Sequence, residues 1–334
     1  MNRFVRAVRW VVLGAVFAGV LTACATVYPS LPPAKWRIPP DFRIVGYFPS
    51  WSGDPLTVRY PALTHVVYAF GLVDATGAYR PLEAPEKLAA VAARARAAGI
   101  KTMVSVGGWN QGDTSALVTV SADPDLTAAF VANTLDLLDD YGLDGVDLDW
   151  EFPGASTAAS YAALVHALAA ALHSRGAELS LAVSAADVNG RFVLEGAWQD
   201  ADWLNIMAYD DGYGQSASVP HSSYSFARSS LDYWITVRGV PPAKVVLGVP
   251  FYGRSLVNRK SRTYRSLLEQ FSQARESDSA GGFAYNGPDT VRAKLVNQAR
   301  VRAGGVMIWQ LNQDARGPES LLSLIYETVK EPEE

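Results

Sequence analysis

An alternation of acids and apolar residues occupies positions 144–151, Asp144-Gly145-Val146-Asp147-Leu148-Asp149-Trp150-Glu151. Because alternate residues of a strand face opposite sides, Asp147, Asp149 and Glu151 fall on one face, opposite an apolar face. Their Cα atoms are spaced on the order of 7 Å apart, so the like charges repel and at least one carboxyl should stay protonated to a raised pH. A carboxyl that is protonated near neutral pH can serve as an acid catalyst.

An edge strand or a metal site would fit the same stretch less well. A solvated or salt-bridged edge strand fits less well, because the opposite face is apolar and predicts a strand in the middle of a sheet. A calcium or magnesium site is the stronger alternative, but the stretch lacks the Asn- and Gly-containing spacing of a calcium loop and has no neighbouring His. We therefore predict a catalytic strand without a metal.

The rest of the chain alternates between predicted strands and helices, which indicates an α/β protein. Eight apolar runs are predicted as buried strands: 43–48, 62–70, 101–106, 144–151, 179–185, 202–209, 244–250 and 305–311. The clearest helices are predicted at 86–98, 124–141, 156–175 and 290–303. This order predicts a closed parallel (β/α)8 barrel, irregular at the first connection, 52–61, which is marked by Pro and Gly.

Side chains at the carboxyl ends of barrel strands meet at one mouth, where such barrels place their chemistry. Glu151 ends the fourth predicted strand and Tyr209 and Asp210 end the sixth. Tyr252 and Arg254 follow the seventh, and Trp309 approaches the end of the eighth. The small residues Ser105, Gly107 and Gly108, at the end of the third strand, should leave room beside the carboxylates.

Extended to Gly154, the acidic stretch reads DGVDLDWEFPG, which closely resembles the active-site strand of family 18 glycoside hydrolases, the chitinase family. Six further segments resemble the same family in the same order: 45–48 (VGYF), 64–70 (THVVYAF), 105–109 (SVGGW), 207–210 (MAYD), 248–254 (GVPFYGR) and 305–309 (GVMIW). The resemblance covers about residues 43–325. Seven ordered motifs make it specific.

The resemblance implies roles for individual residues. Glu151 would protonate the leaving glycosidic oxygen and later activate water. Asp149, sharing a proton with Asp147 or with the substrate's acetamido N–H, would stabilise a cyclic oxazolinium intermediate. Tyr209 would donate its hydroxyl to the acetamido oxygen, and Asp210 would bind the distorted sugar. The resemblance assigns substrate contacts to Tyr47, Phe70, Gly108, Trp109, Met207, Tyr252, Arg254 and Trp309, with the Trp309 indole as the floor, and it requires no cofactor.

The residue pattern leaves two candidates for the nucleophile. Asp147 and Asp149 share a strand with Glu151, so neither readily reaches the opposite face of the sugar. Asp210, across the barrel, is one candidate. The other is the substrate's own 2-acetamido oxygen, and the resemblance favours it because family 18 enzymes depart from the two-carboxylate scheme in this way.

The N-terminal segment predicts export and anchoring. Arg3, Arg6 and Arg9 precede an apolar run over 10–21, so residues 1–23 are predicted as a signal peptide. The following Cys24, the only cysteine, ends a tetrad that resembles the bacterial lipoprotein box. We therefore predict a lipidated Cys24, a Pro-rich tether over 24–42 and a catalytic barrel over 43–330, held at a membrane in the periplasm or on the cell surface.

The charge of the chain limits the classes of partner that we expect it to bind. With 33 acidic and 29 basic residues and a net charge of −4, the chain has no basic patch for nucleic acid. The resemblance to family 18 implies an enzyme that cleaves β-1,4 bonds between N-acetylglucosamine units of chitin or its oligosaccharides, and we expect it to be a monomer. The alternatives are an endo-β-N-acetylglucosaminidase on N-glycan cores or peptidoglycan, and a chitin-binding lectin.

Residues 255–285 are too few for the large insertion that many relatives carry between strands seven and eight. We therefore expect a surface loop with one short helix there. We also expect an open groove in which the enzyme cleaves internal bonds.

Overall fold

The structure, a computed structural model, describes residues 36–212 and 219–332. Eight parallel strands form a closed barrel in which the last strand pairs with the first. They are β1 (Arg43–Pro49), β2 (His65–Gly71), β3 (Lys101–Gly107), β4 (Gly145–Asp149), β5 (Glu178–Ser184), β6 (Trp203–Met207), β7 (Val245–Pro250) and β8 (Gly305–Trp309). The predicted (β/α)8 barrel is confirmed. The predicted signal peptide 1–23, Cys24 and most of the predicted tether lie outside the described residues.

Helices surround the barrel. They are α1 (Pro85–Ala97), α2 (Ser115–Ala122), α3 (Pro124–Tyr141), α4 (Ala158–His173), α5 (Asp187–Gly190), α6 (Glu195–Asp200), α7 (Tyr224–Asp232), α8 (Tyr264–Gln270), α9 (Pro288–Val301) and α10 (Leu321–Val329). The predicted boundaries of α3 are confirmed, because the Asp123 side chain accepts hydrogen bonds from the first-turn N–H groups and Gly142 ends the helix in the left-handed conformation. Between β1 and β2 lie only two 3-10 turns, as the sequence indicated.

Successive side chains of the acidic stretch face opposite sides of β4, as predicted. The two sides of the barrel wall belong to two separate hydrophobic cores. Val146, Leu148 and Trp150 face the helices and join the large core between barrel and helices. The Trp150 ring meets the Tyr161 ring of α4 edge to face, with centroids 5.6 Å apart. A second core, inside the barrel, consists of Val45, Tyr47, Val67, Ala69, Met103, Trp203, Val246 and Met307. The acids of β4 therefore face the barrel interior.

The connection between β7 and β8 is small but folded, which corrects part of the prediction. It contains α8 and α9 as the sequence indicated, and no large insertion domain. Instead of a simple loop, however, four short strands form an antiparallel sheet: Tyr252–Ser255, Ser261–Thr263, Ser279–Ala280 and Phe283–Ala284. Strands of two to four residues are too short to show a period in the sequence. Packing supports them instead, for example the Arg262 guanidinium 4.9 Å above the Phe283 ring.

The folded unit extends slightly beyond the predicted bounds of 43 and 330. Trp36 and Arg37 pair antiparallel with Pro332 and Glu331, and the Arg37 Nε lies 3.1 Å from the Glu331 carboxylate. The last part of the predicted tether is thus held against the end of α10. None of the helices in the described part of the chain has the length and hydropathy needed to cross a membrane.

Candidate active site

Asp147 lies inside the barrel and accepts four side-chain hydrogen bonds from four other strands. The donors are Tyr47 Oη (2.7 Å) and Ser105 Oγ (2.8 Å) on Oδ2, and Ser180 Oγ (2.6 Å) and Asn205 Nδ2 (3.0 Å) on Oδ1. Burial raises the pKa of Asp147, and these hydrogen bonds oppose that rise. Both oxygens of Asp147 are therefore committed to protein donors, and the carboxyl is fixed in one orientation.

Asp149, the last residue of β4, is almost fully buried, and its Oδ1 has no hydrogen-bond partner among the described residues. Burial raises the pKa of Asp149 well above its usual value, and the neighbouring Glu151 and Asp147 raise it further. A buried carboxyl oxygen without a donor is unusual in a folded protein. Asp149 is thus available to bind a proton or a ligand donor.

Glu151 stands two residues beyond β4, so the strand ends earlier than the sequence indicated. The side chain still reaches the same cavity as Asp149. Burial, with a further contribution from the charge of Asp210, raises the pKa of Glu151 to about 7. One acid thus has a pKa near neutral pH, as expected, but the causes are burial and Asp210 and not the crowding of acids along the strand.

Two glycines at the end of β3 allow β4 to approach closely. Gly107 and Gly108 both have positive φ, and a Cβ on Gly107 would lie 2.3 Å from the Asp149 carbonyl oxygen. A Cβ on Gly108 would lie 2.6 Å from the Phe70 ring, and the Gly108 N–H donates to the Asp149 carbonyl at 2.7 Å. Side chains here would displace both the acidic strand and an aromatic wall.

Asp210 follows β6 with a left-handed backbone (φ 58°), unusual for a residue other than glycine. The Arg254 guanidinium donates from Nε to Oδ1 and from Nη2 to Oδ2, both at 2.7 Å, and the Tyr252 hydroxyl donates to Oδ2 at 2.9 Å. Burial alone would raise the pKa of Asp210, but the hydrogen bonds from His221 and Arg254 and the Arg254 charge hold it well below its usual range. Asp210 is therefore ionised at any pH at which Glu151 titrates.

Tyr209 lines the cavity next to Asp210. Its ring meets the Tyr252 ring edge to face, with centroids 6.3 Å apart, and its hydroxyl lies 3.8 Å from Met307 Sδ, a weak acceptor. Burial raises the pKa of Tyr209 well above its usual value. The hydroxyl thus keeps its proton and can donate it in a stronger hydrogen bond.

Stacked aromatic rings cover one side of the cavity. The Trp309 ring lies 5.7 Å from Phe70 at an interplanar angle of 23° and 5.5 Å from Tyr47. Trp51, 49% exposed, continues the row, with its ring 5.9 Å from Phe70. Trp51 was not among the predicted site residues, although it stands two residues beyond the end of β1, where strand-end side chains were expected.

A cavity of about 1310 Å³ joins these groups. Most predicted site residues line it: Tyr47, Phe70, Trp109, Asp149, Glu151, Met207, Tyr209, Asp210, Arg254 and Trp309. Asp147, Gly108 and Tyr252 are absent from the lining, and each supports a residue that lines it. Residues that were not predicted also line the cavity, among them Trp51, Arg80, Glu83, Val188, Asn189 and Phe226. Within 36–212 and 219–332, no group of three or more His, Cys, Asp or Glu side chains is arranged to hold a metal ion.

The barrel and its carboxylate strand are those of a glycoside hydrolase, and residues 43–314 match the model of Glycosyl hydrolases family 18. The chain belongs to that family. It is 24% identical to "Probable chitinase 10" of Drosophila melanogaster over 91% of this chain and 17% of that protein. It is 26% identical to "Endochitinase 1" of Metarhizium robertsii over 67% of this chain and 64% of that protein. It thus spans less than two thirds of the length of these curated relatives.

One solved structure is similar to this chain over nearly the whole length of the solved protein. The family 18 chitinase from the chitin utilization locus of Flavobacterium johnsoniae superposes with a TM-score of 0.78 at 28% identity. The match covers 89% of this chain and 94% of that protein. The family model and the solved structure therefore agree on the family, and the solved structure has the same fold.

Proposed function

We propose that this protein hydrolyses β-1,4 bonds between N-acetylglucosamine units of chitin or chitooligosaccharides, with retention of configuration and by substrate-assisted catalysis. The proposal rests on one observation: two carboxyl groups with different environments line the same cavity. Glu151 has a pKa raised to about 7, and the buried Asp149 has one carboxyl oxygen without a hydrogen-bond partner in the described part of the chain. The chitinase names of the relatives support the choice of substrate.

Glu151 acts as the acid in this proposal. A pKa near the working pH allows the same carboxyl to protonate the leaving oxygen and then, ionised, to activate a water molecule. The partly exposed position of Glu151 allows contact with substrate, whereas Asp147 is fully buried. Glu151 is thus the member of the acidic row suited to proton transfer.

Asp149 stabilises the intermediate by accepting the acetamido N–H. The sequence left open whether Asp149 shares a proton with Asp147 or with the substrate. Four protein donors already occupy the oxygens of Asp147, which favours the substrate as the partner of Asp149. Asp149 Oδ1, which accepts no hydrogen bond from the described residues, is the acceptor that such a contact requires.

The acetamido oxygen is the nucleophile, and the environment of Asp210 supports this choice. A carboxylate that receives two hydrogen bonds from Arg254 and one from Tyr252 is a poor nucleophile, because its lone pairs are already engaged. Asp210 instead binds the sugar in its distorted form. The Tyr209 hydroxyl, whose partner among the described residues is a thioether, donates to the acetamido oxygen.

The row of Trp309, Phe70 and Trp51 binds the sugars on one side of the cleavage point. An aromatic face matches the apolar face of a pyranose ring, and these three rings offer adjacent faces. Trp309 forms the floor under the sugar that reacts. Trp51 extends this surface toward solvent, which is consistent with a substrate longer than a single disaccharide.

We also propose that the protein is a lipoprotein anchored through Cys24, in the periplasm or on the cell surface. The arginines at positions 3, 6 and 9, the apolar run over 10–21 and the tetrad that ends in Cys24 support this proposal.

Product analysis on a chitin hexamer, an N-glycan glycopeptide and a muropeptide tests the proposed substrate. We expect shorter chitin oligosaccharides from the hexamer and little or no cleavage of the other two. Cleavage of the glycopeptide or muropeptide alone would move the assignment to an endo-β-N-acetylglucosaminidase. Tight binding of the hexamer without cleavage would indicate a lectin.

A further inference from the structure

Lys294, on α9, is buried behind the site and is not used in the mechanism above. Its side chain is 1% exposed, and Nζ donates to Asn286 Oδ1 (2.6 Å), Ser222 Oγ (2.8 Å) and the Ser222 carbonyl (2.9 Å). Burial lowers the pKa of Lys294 to about 7, and three acceptors match the three N–H groups of an ammonium. A buried lysine is costly for the fold, so its three directed hydrogen bonds point to a specific task.

The hydrogen bonds of Lys294 continue toward the cavity through Ser222. The Ser222 hydroxyl donates to the Ala208 carbonyl at 2.7 Å, and Asn286 Nδ2 donates to the Ser222 carbonyl at 2.6 Å. The adjacent His221 accepts the Asp211 N–H on its carbonyl at 2.9 Å, and its Nδ1 lies 3.3 Å from Asp210 Oδ1. Residues 221–222 thus support the segment 208–211 on both sides of Asp210.

The segment 208–211 needs such support because of its backbone. Asp210 has a left-handed conformation that residues other than glycine adopt at a cost. Hydrogen bonds at Ala208 and Asp211 flank this residue and oppose its relaxation. Tyr209 and Asp210 lie between these two hydrogen bonds, which therefore restrain the backbone that carries both side chains.

We propose that Lys294 is a positioning residue, which acts through Ser222 and Asn286 to fix the Tyr209 hydroxyl and the Asp210 carboxylate at the reacting sugar. The proposal rests on the proposed function, because it assigns these two groups to the substrate. Lys294 itself touches neither the substrate nor the reacting atoms.

Lys294→Met tests the proposal by removing the hydrogen bonds while keeping most of the apolar volume. Lys244→Met is the matched control, because Lys244 Nζ also donates to three carbonyls, those of Trp198, Gln199 and Ala201, just before β7 at the opposite face of the barrel. We expect both variants to lose stability. Only Lys294→Met should lose kcat on chitin oligosaccharides, by about 10- to 100-fold, with KM changed by less than about threefold.

If Lys294→Met does not fold, a second pair of variants can test the proposal in its place. Ser222→Ala removes the hydroxyl between Lys294 and Ala208, and we expect a smaller loss of kcat in the same direction. Ser230→Ala is its control, since the buried Ser230 hydroxyl donates only within α7, to the Phe226 carbonyl. Equal kcat in each variant and its control, at a temperature at which all are folded, would overturn the proposal.

A crystal structure of Lys294→Met, or of Ser222→Ala in its place, separates this proposal from the proposed function. If the wild-type protein does not cleave chitin oligosaccharides, the proposed function is wrong, and the positioning role is decided by geometry alone. Displacement of the Asp210 carboxylate and loss of its two hydrogen bonds with Arg254 would support the role. An unchanged Asp210–Arg254 pair would contradict it.

Discussion

Arg254 binds Asp210 through both carboxylate oxygens, with two nitrogen–oxygen distances of 2.7 Å. The pair joins the short sheet after β7 to the end of β6, two elements that do not adjoin in sequence. Planar two-point contacts of this kind fix direction as well as charge. The pair therefore keeps Asp210 ionised beside Glu151, and the charge of Asp210 contributes to the raised pKa of that acid.

Arg254→Lys should lower kcat/KM by about 10- to 100-fold, because a lysine cannot reproduce the two-point contact. The pKa of Asp210, now held low, should rise toward its usual value. Activity that depends on ionised Asp210 should then be lost at a higher pH as the solution is acidified. The pH profile of kcat/KM measures both effects.

Arg175→Lys serves as the control for that substitution. Arg175 forms an exposed ion pair with Asp139 at 2.8 Å, and neither residue lines the cavity. An acidic limb at the same pH in wild type, Arg254→Lys and Arg175→Lys would contradict the assigned role of the Arg254–Asp210 pair.

Glu151→Gln should lower turnover of chitin oligosaccharides by about 100-fold or more and leave oligosaccharide binding largely unchanged. Calorimetric titration of the variant with a chitin hexamer measures the binding. Glu195→Gln, an exposed carboxylate at the start of α6, is the control. A Glu151→Gln enzyme with more than about a tenth of wild-type turnover would remove Glu151 from the acid's role.

The raised pKa of Glu151 also predicts the basic limb of the wild-type pH profile. The acid must be protonated to act, so kcat/KM should fall as the pH rises through about 7. A profile that stays flat to about pH 9 would show that a different group donates the proton.

The sequence was sufficient to predict the barrel and much of the site. The alternation over 144–151 predicted both the inward acids and the outward contacts of Trp150, because strand periodicity is a local property. Residues at strand ends, such as Asp210 and Trp309, followed from the rule that parallel strands share one functional face. These inferences need only short segments and the order of elements.

The supporting contacts could not be predicted in the same way. Lys294 and Ser222 are 72 positions apart, and their hydrogen bond depends on where residues 219–223 lie before α7 and on the rotation of α9. The four donors around Asp147 come from four different strands, whose relative stagger no short segment specifies. Local sequence patterns are therefore enough to recognise the catalytic residues, whereas long-range packing determines the direction in which their side chains point.

Cys24→Ser should release the protein from membranes if Cys24 carries the predicted lipid. Wild type should partition into the detergent phase and the variant into the aqueous phase, with equal activity on short oligosaccharides. Phase separation with Triton X-114, followed by an activity assay, measures this. Identical partitioning of both forms would contradict the anchor.

The cleft should cut internal bonds and release its product often. Between β7 and β8, only Arg254 lines the cavity among the described residues, so the small sheet builds no tall wall there. Viscosity of a soluble chitin derivative should therefore fall early relative to the reducing ends released. A slow fall in viscosity with steady release of disaccharide would instead indicate an exo-acting, enclosed site.

The anomeric form of the first product tests the central claim most directly. If the acetamido oxygen attacks and Asp149 stabilises the resulting ring, cleavage of a chitin hexamer must retain configuration. Proton NMR during the first minutes should show the β-anomer before mutarotation, and a thiazoline analogue of the intermediate should inhibit. The α-anomer as first product, or a covalent sugar adduct on Asp210, would contradict the account.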